Sequence, residues 1–159
     1  MRLAVIILGL LLLLAVGWWR HEHPAHPAPV DASLYETDMT EALLRTILPA
    51  LPPPAPPVCF LAFGDGRTSP SREFIARFAG SQPAVRSCAA AASPPIGRYF
   101  DASTGREGLI VHIVSFKEII PGTCDYLVRF SNLPEGHDRF TYRIAKIGGD
   151  WVLESRRPA

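Results

Sequence analysis

The chain has 159 residues and a nearly balanced charge, with 16 Lys and Arg against 15 Asp and Glu. A formal net charge of +1 excludes the strong positive field by which many proteins attract nucleic acid, and no strong field steers acidic partners either. The length fits one small domain behind an apolar N-terminal segment.

The N-terminal run from Leu3 to Trp19 has no charged side chain and lies between Arg2 and Arg20. A helix that crosses a membrane needs about 17 to 25 apolar residues and often ends in interfacial tryptophans. Residues 1–20 are therefore predicted to be a transmembrane signal anchor, which crosses the cell membrane once through residues 3–19. Because Arg2 and the amino group outweigh Arg20, the C-terminal domain is expected on the extracytoplasmic side.

Cleavage of this segment as a signal peptide is the alternative, and it would leave a secreted domain. Signal peptides have an apolar core of about 7 to 15 residues, followed by a cleavage site with small side chains. Trp18, Trp19 and Pro24 follow the run here, which favours an uncleaved anchor. Ala25 and Ala28 are the small residues that a cleavage site would use.

Residues 21–32 are a linker rich in histidine and proline. Its prolines lack amide donors and favour a stiff, extended backbone. They are Pro24, Pro27 and Pro29, and the histidines are His21, His23 and His26. Three imidazoles within six residues can bind copper, nickel or zinc loosely. A solvated linker without metal is the commoner outcome for such a tract.

Residues 33–157 are predicted to form an α+β domain, which begins with a helix over 34–48. Apolar side chains recur at helical spacing in this segment, at Met39, Leu43, Leu44, Ile47 and Leu48. Both Ser33 and Asp38 are followed after three residues by glutamate, the spacing of a capping box. The helix ends where a proline-rich spacer, 49–57, begins, because its six prolines exclude helix and central strand.

The compact part, 58–157, opens with the apolar run Val58 to Phe63, which is typical of a buried strand. Residues Gly64 to Arg67 lack the lysine and spacing of a phosphate loop, so they are interpreted as a plain turn. A second helix is predicted from Ser69 as N-cap to Gly80, burying Phe74, Ile75 and Phe78. Residues 81–95 are interpreted as a loop with at most one helical turn.

Four strands follow, separated by segments rich in glycine and proline, at Gly108–Phe116, Cys124–Asn132, Arg139–Ile147 and Trp151–Arg156. Polar and apolar side chains alternate in them, which predicts an antiparallel meander with one face inward. Residues Tyr99–Asp101 are expected to add an edge strand. The predicted fold class is α+β, with two helices packed on a curved antiparallel sheet, and Trp151 is expected against Phe74 and Phe78.

Four segments carry a resemblance to a known group of proteins. They are V-C-F-L-A-F-G, S-P-S-R-E-F-I-A-R-F, D-A-S-T-G-R-E-G and Y-R-I-A-K-I-G-G-D-W-V-L-E-S. Together they resemble small uncharacterised bacterial membrane-anchored α+β proteins over most of residues 40–156. The helix before a sheet that ends in G-x-W also looks like nuclear-transport-factor-two-like or cystatin-like rolls. These resemblances imply a fold and no catalytic residues.

His112 is the candidate catalytic residue of the sequence. It lies in a predicted strand and shares a face with Ile110 and Val114, which favours a core histidine with a hydrogen-bonded ring. A role as acid or base would require a carboxylate such as Asp125 or Glu118 beside it.

Arg129, Arg139 and Arg143 are the candidate binding residues, because they lie on the polar face of the meander near Asp125 and Glu154. A solvated face with ion pairs of about 0.2 to 1 kcal/mol each is the first interpretation. A patch that binds an anion or a partner is the second.

Cys59, Cys88 and Cys124 would face an oxidising compartment, which allows one disulfide and one remaining thiol. Cys59, within an apolar run, is instead expected to be a small buried hydrophobe.

Two functions are compatible with these features. One is a non-enzymatic envelope module, anchored in the membrane, that binds a protein or a small molecule. The other is a small anchored enzyme with an acid and base pocket between the helices and the sheet, formed by His112 and a carboxylate. No sequence motif requires a cofactor, and the absence of a paired nucleophile and base favours the module.

Overall fold

The computed structural model describes residues 30–51, 56–92, 98–131 and 139–159. They form a mixed α+β fold with two α-helices and one large sheet of eight strands. The helices are α1 (Asp38–Ile47) and α2 (Arg72–Ala76). The strands are β1 (Val58–Phe63), β2 (Ala84–Ser87), β3 (Ala91–Ala92), β4 (Tyr99–Asp101), β5 (Glu107–Ile120), β6 (Thr123–Ser131), β7 (Arg139–Ile147) and β8 (Asp150–Pro158).

The predicted anchor, 1–20, and His21, His23 and His26 lie outside the described residues. Within the described ranges, no helix is long and apolar enough to span a membrane.

Helix α1 begins four residues later than the predicted helix over 34–48. Thr37 is its N-cap, and the Thr37 side chain accepts a hydrogen bond from the Thr40 amide at 3.2 Å. Asp31 instead caps a separate 3-10 turn over Ala32–Leu34. The capping-box spacings at Ser33 and Asp38 therefore do not mark the start of α1. Thr37, just before the acidic first turn of the helix, accepts from a free backbone amide instead.

Helix α2 is capped by Ser71 and not by Ser69. The Ser71 hydroxyl accepts from the Phe74 amide at 3.1 Å, and the Glu36 carboxylate accepts from both the amide and the hydroxyl of Ser71 at 2.6 Å. This contact ties the start of α2 to the segment before α1. Phe74 and Phe78 are buried as predicted, while Ile75 is only partly buried.

The sheet is mixed, which corrects the prediction of an antiparallel sheet. Its main order is β2-β1-β5-β6-β7-β8, and β1 runs parallel to both β2 and β5. Strand β2 lies in the segment that was interpreted as a loop. Every residue of β1 is buried, as a strand covered on both faces requires.

The C-terminal meander is confirmed, because β5 to β8 pair antiparallel in chain order. Burial alternates along β6, where Cys124, Tyr126, Val128 and Phe130 are buried. These side chains pack with both helices in the main core, so we call their side of the sheet the helix face and the other side the open face. The predicted strand over Tyr99–Asp101 is present as β4, but it is not an edge strand, because it pairs with both β3 and the start of β5.

Trp151 is on the helix face but not where it was expected. It is only partly buried and lies with Met39 and Cys124 around a cavity beside the start of α1. Lys146 Nζ is 5.8 Å from the centre of its ring. The reason is the sheet order, which places β8 at the far edge from β1 and β2 and brings it against α1.

Candidate functional site

The open face carries a cavity of about 350 Å³ near the end of β1. We call it the arginine cavity. Its described lining residues are Asp65, Arg67, His112, Val114, Leu127, Arg129 and Arg139. They come from the turn after β1 and from β5, β6 and β7, so residues far apart in the chain meet here.

The turn Gly64–Arg67 brings two of these side chains to the cavity. Phe63 and Thr68 exchange two backbone hydrogen bonds, of 2.9 and 2.8 Å, which close the turn. Arg67 has a positive φ of 51°, which is uncommon for a residue other than glycine. Its Nη1 donates to the Tyr99 hydroxyl at 3.3 Å. The turn was interpreted as plain, and its geometry presents Asp65 and Arg67 to the cavity.

His112 lies on the open face, in the wall of the arginine cavity, with only 6% of its surface exposed. Its Nε2 is 2.6 Å from the Gly64 carbonyl oxygen, so Nε2 carries the proton of the neutral ring and donates it. The other ring nitrogen, Nδ1, is buried and has no hydrogen-bond partner among the described residues. Among the described residues, His112 thus has a hydrogen-bond partner for one ring nitrogen and none for the other.

Burial lowers the pKa of His112 below its usual value of 6.5, and the charges of Arg67 and Arg129 lower it further. The hydrogen bond to Gly64 and the charge of Asp65 act in the opposite direction. The ring is therefore neutral at pH 7. The nearby carboxylate is Asp65, and the predicted partners Asp125 and Glu118 do not line the cavity.

Two of the three candidate arginines meet at this site. Arg129 and Arg139 are directly opposite each other across β6 and β7, and His112 is opposite Arg129 across β5 and β6. Like charges directly opposite in a sheet repel.

Arg143 is elsewhere, in an ion cluster with Asp125 and Arg157. Arg143 donates to both carboxylate oxygens of Asp125, at 2.7 and 2.8 Å, and Arg157 Nη2 is 3.2 Å from Asp125 Oδ2. The hydrogen bonds from Arg143 are the main cause that lowers the pKa of Asp125. Arg143 is therefore held in a cross-strand pair, as the first interpretation of the arginine face predicted.

A second cavity, of about 420 Å³, lies between the start of α1 and the sheet. Among its described lining residues are Glu118 and Cys124, but His112 is on the opposite face of the sheet. The predicted acid and base pocket between helices and sheet therefore does not contain its proposed histidine. The reason is the register, which pairs His112 with Ala62 on the open face.

All three cysteines are free thiols. Cys59 is fully buried, as predicted, and burial raises its pKa to about 12. Cys88 is partly exposed, with its sulfur 3.2 Å from the Ser69 hydroxyl. The described residues contain no group of three His, Cys, Asp or Glu side chains that could hold a metal ion.

No family model, curated protein or solved structure matches this chain. The resemblances drawn from the sequence motifs therefore stay predictions.

Proposed function

We propose that the protein is a membrane-anchored, non-enzymatic module on the extracytoplasmic side that binds a small oxyanion, such as a carboxylate or a phosphate. The arginine cavity is the observation that carries this proposal. Arg67, Arg129 and Arg139 contribute three positive charges to its described lining and Asp65 contributes one negative charge. Guanidinium groups bind carboxylate and phosphate oxygens well because their donors match that geometry.

The Nδ1 of His112, which has no partner in the described part of the chain, supports the same conclusion. Most buried polar side-chain atoms in proteins have a hydrogen-bond partner, so an orphaned nitrogen at a cavity wall suits a ligand group. The neutral ring accepts a hydrogen bond from a ligand hydroxyl, and the protonated ring donates one to an anion. Anion affinity is therefore expected to increase as the pH falls below 6.5, because burial lowers the pKa of His112 from that value and the ring takes up its proton only there.

A non-enzymatic role is favoured over the anchored enzyme by the contacts of His112. Its Nε2 is engaged by a backbone carbonyl, and the described lining residues include no serine, threonine or cysteine that could act as a nucleophile. The extracytoplasmic location rests on the apolar run 3–19 and its flanking charges.

Calorimetric titration of the full chain in detergent micelles with inorganic phosphate, acetate and citrate tests the proposal. We expect binding that weakens with added salt, because the guanidinium groups of Arg67 and Arg139 are exposed. The Arg139→Ala variant should lose this binding. Arg72→Ala is the matched control, because Arg72 is exposed on α2 on the other face of the sheet.

Absence of binding for all three anions would overturn the proposal. Equal loss in Arg139→Ala and Arg72→Ala would show a non-specific charge effect and would also overturn it.

A further inference from the structure

An apolar row crosses the open face at the hairpin end of the sheet. Register pairs Ile120 with Thr123, Thr123 with Ala145, and Ala145 with Val152, so these residues lie side by side across β5 to β8. Ile147 is two residues beyond Ala145 on the same strand and shares its face. We call Ile120, Ala145, Ile147 and Val152 the hairpin row.

The large side chains of the hairpin row are exposed. Relative exposure is 61% for Ile120, 56% for Ile147 and 41% for Val152. Single exposed apolar residues are common on proteins, but an aligned group of β-branched side chains at one end of a sheet often marks a contact with a membrane or a protein.

The chain enters the domain beside the end of β1, level with the middle of β5. Val30, the first described residue, packs against the core and adjoins Gly64, at the end of β1. The Tyr35 hydroxyl donates to the Val114 carbonyl at 3.3 Å, in the middle of β5. Strand β5 runs parallel to β1 and continues from Val114 to Ile120, roughly 20 Å at the rise of an extended strand. The β5–β6 and β7–β8 turns therefore project beyond the point of entry.

The tether length allows this end to reach a bilayer. Residues 21–29 separate the predicted anchor from Val30, and nine extended residues span at most about 30 Å. A tether of this length keeps the domain at a high effective concentration near the membrane, so even a weak surface contact is populated.

We propose that the hairpin row docks on the surface of the bilayer that holds the anchor, with Ile120, Ile147 and Val152 inserted at the level of the lipid headgroups. This inference rests on the anchored topology of the proposed function but not on anion binding. Docking would also orient the sheet relative to the membrane. Lys117, Asp125 and Arg143 pair in the row next to the hairpin row, so this charged cluster would lie further from the membrane. The arginine cavity would lie beyond that cluster.

Site-specific photocrosslinking tests the proposal on the full chain in phosphatidylethanolamine and phosphatidylglycerol vesicles. Benzoylphenylalanine replaces Ile120 in one variant and Ala79 in the control. Ala79 is exposed after α2, two residues before Ser81, which lines a cavity with Pro57 and Ala84 where β1 and β2 begin, at the opposite end of the sheet. We expect lipid adducts by mass spectrometry at position 120 and none at position 79. Vesicle flotation of the same samples reports whether the chain is anchored in the membrane, independently of docking.

A second variant separates native docking from insertion driven by the apolar probe. Benzoylphenylalanine at position 152 should give lipid adducts in the native background and lose them when Ile120→Ser and Ile147→Ser are added. Protein adducts at position 120 would identify a second copy or another protein as the occupant and would overturn the proposal. A chain that floats with the vesicles but gives no lipid adducts would overturn docking and leave the anchor intact. A chain that does not float with the vesicles would overturn both. The calorimetric titration tests anion binding independently of these outcomes.

Discussion

The hydroxyls of Thr40 in α1 and Tyr126 in β6 are 3.0 Å apart, and both side chains are completely buried. This hydrogen bond joins the helix to the centre of the sheet across the main core. Desolvation raises the pKa of Tyr126 to about 12, so the phenol stays neutral. The Thr40 hydroxyl is also 3.2 Å from the Thr37 hydroxyl, so the Tyr126 phenol joins a small neutral network at the start of α1, which adds specificity to the packing of helix on sheet.

Tyr126→Phe should lower the free energy of unfolding by about 1 kcal/mol, and Thr40→Val by about 1 to 3 kcal/mol. The double variant should lose less than the sum, because the hydrogen bond between the two hydroxyls is already lost in either single variant. Thermal and denaturant unfolding of the full chain in micelles measure this coupling. Tyr142→Phe is the control, since Tyr142 is also a buried residue of the sheet but its hydroxyl makes no hydrogen bond among the described residues. An equal loss there would contradict the assignment.

The stability of the domain should depend on the protonation of His112. Because burial lowers the pKa of His112 in the folded state, the folded protein binds fewer protons than the unfolded protein below pH 6.5. Stability is therefore complete above the unfolded pKa and falls as the pH drops towards the folded pKa. In the His112→Gln variant, stability should change less with pH in this range, because the glutamine side-chain amide can donate to the Gly64 carbonyl without titrating.

Melting midpoints between pH 5 and pH 8 check this expectation, with His23→Gln in the linker as the control. Identical slopes in the two variants would mean that other groups control the pH dependence.

Substitutions of Arg67 should separate its role in anion binding from its effect on stability. Its left-handed backbone, with φ of 51°, costs roughly 1 kcal/mol for a residue with a side chain, and glycine avoids this cost. Arg67→Gly and Arg67→Ala both remove the guanidinium group and should weaken oxyanion binding equally. Arg67→Gly should nevertheless melt at a higher temperature than Arg67→Ala. Unchanged anion binding in both variants would remove Arg67 from the site.

Gly108 is required where β5 passes β1. A Cβ at this position would contact the buried ring of Phe60 and lie 2.9 Å from the Val58 carbonyl oxygen. Gly108→Ala should destabilise the domain by about 1 to 3 kcal/mol, because β1 is a central strand that cannot easily move. Ser115→Ala, on the exposed part of the same strand, should change stability by less than about 0.5 kcal/mol. Equal melting curves would show that the two strands separate readily here.

The cysteines should differ in reactivity. Cys88 is partly exposed and should react with maleimide in the folded protein. Cys59 is buried with its pKa raised to about 12, so it should react only after unfolding. Mass spectrometry of samples labelled with and without denaturant identifies the modified residue. Rapid labelling of Cys59 under native conditions would mean that β1 opens locally.

Local patterns in the sequence were sufficient to predict the meander. The alternation of Tyr126, Val128 and Phe130 with polar residues assigns one face of β6 to the core, because side chains on a strand have a period of two. The fully apolar run of β1 likewise predicted a buried strand. Short cap motifs were less informative, since several Ser, Thr and Asp residues compete as N-caps, and tertiary contacts such as that of Glu36 with Ser71 select one.

The parallel pairing of β1 and the arginine cavity could not be predicted in this way. Strand β2 has only four residues and is defined by its pairing with β1, which no local period records. The sequence by itself determined that Arg129 and Arg139 lie on a polar face, and that His112 lies in a strand. Only the tertiary structure decided that these side chains join Asp65 and Arg67, because the register between non-adjacent segments depends on packing and hydrogen bonds across the whole sheet.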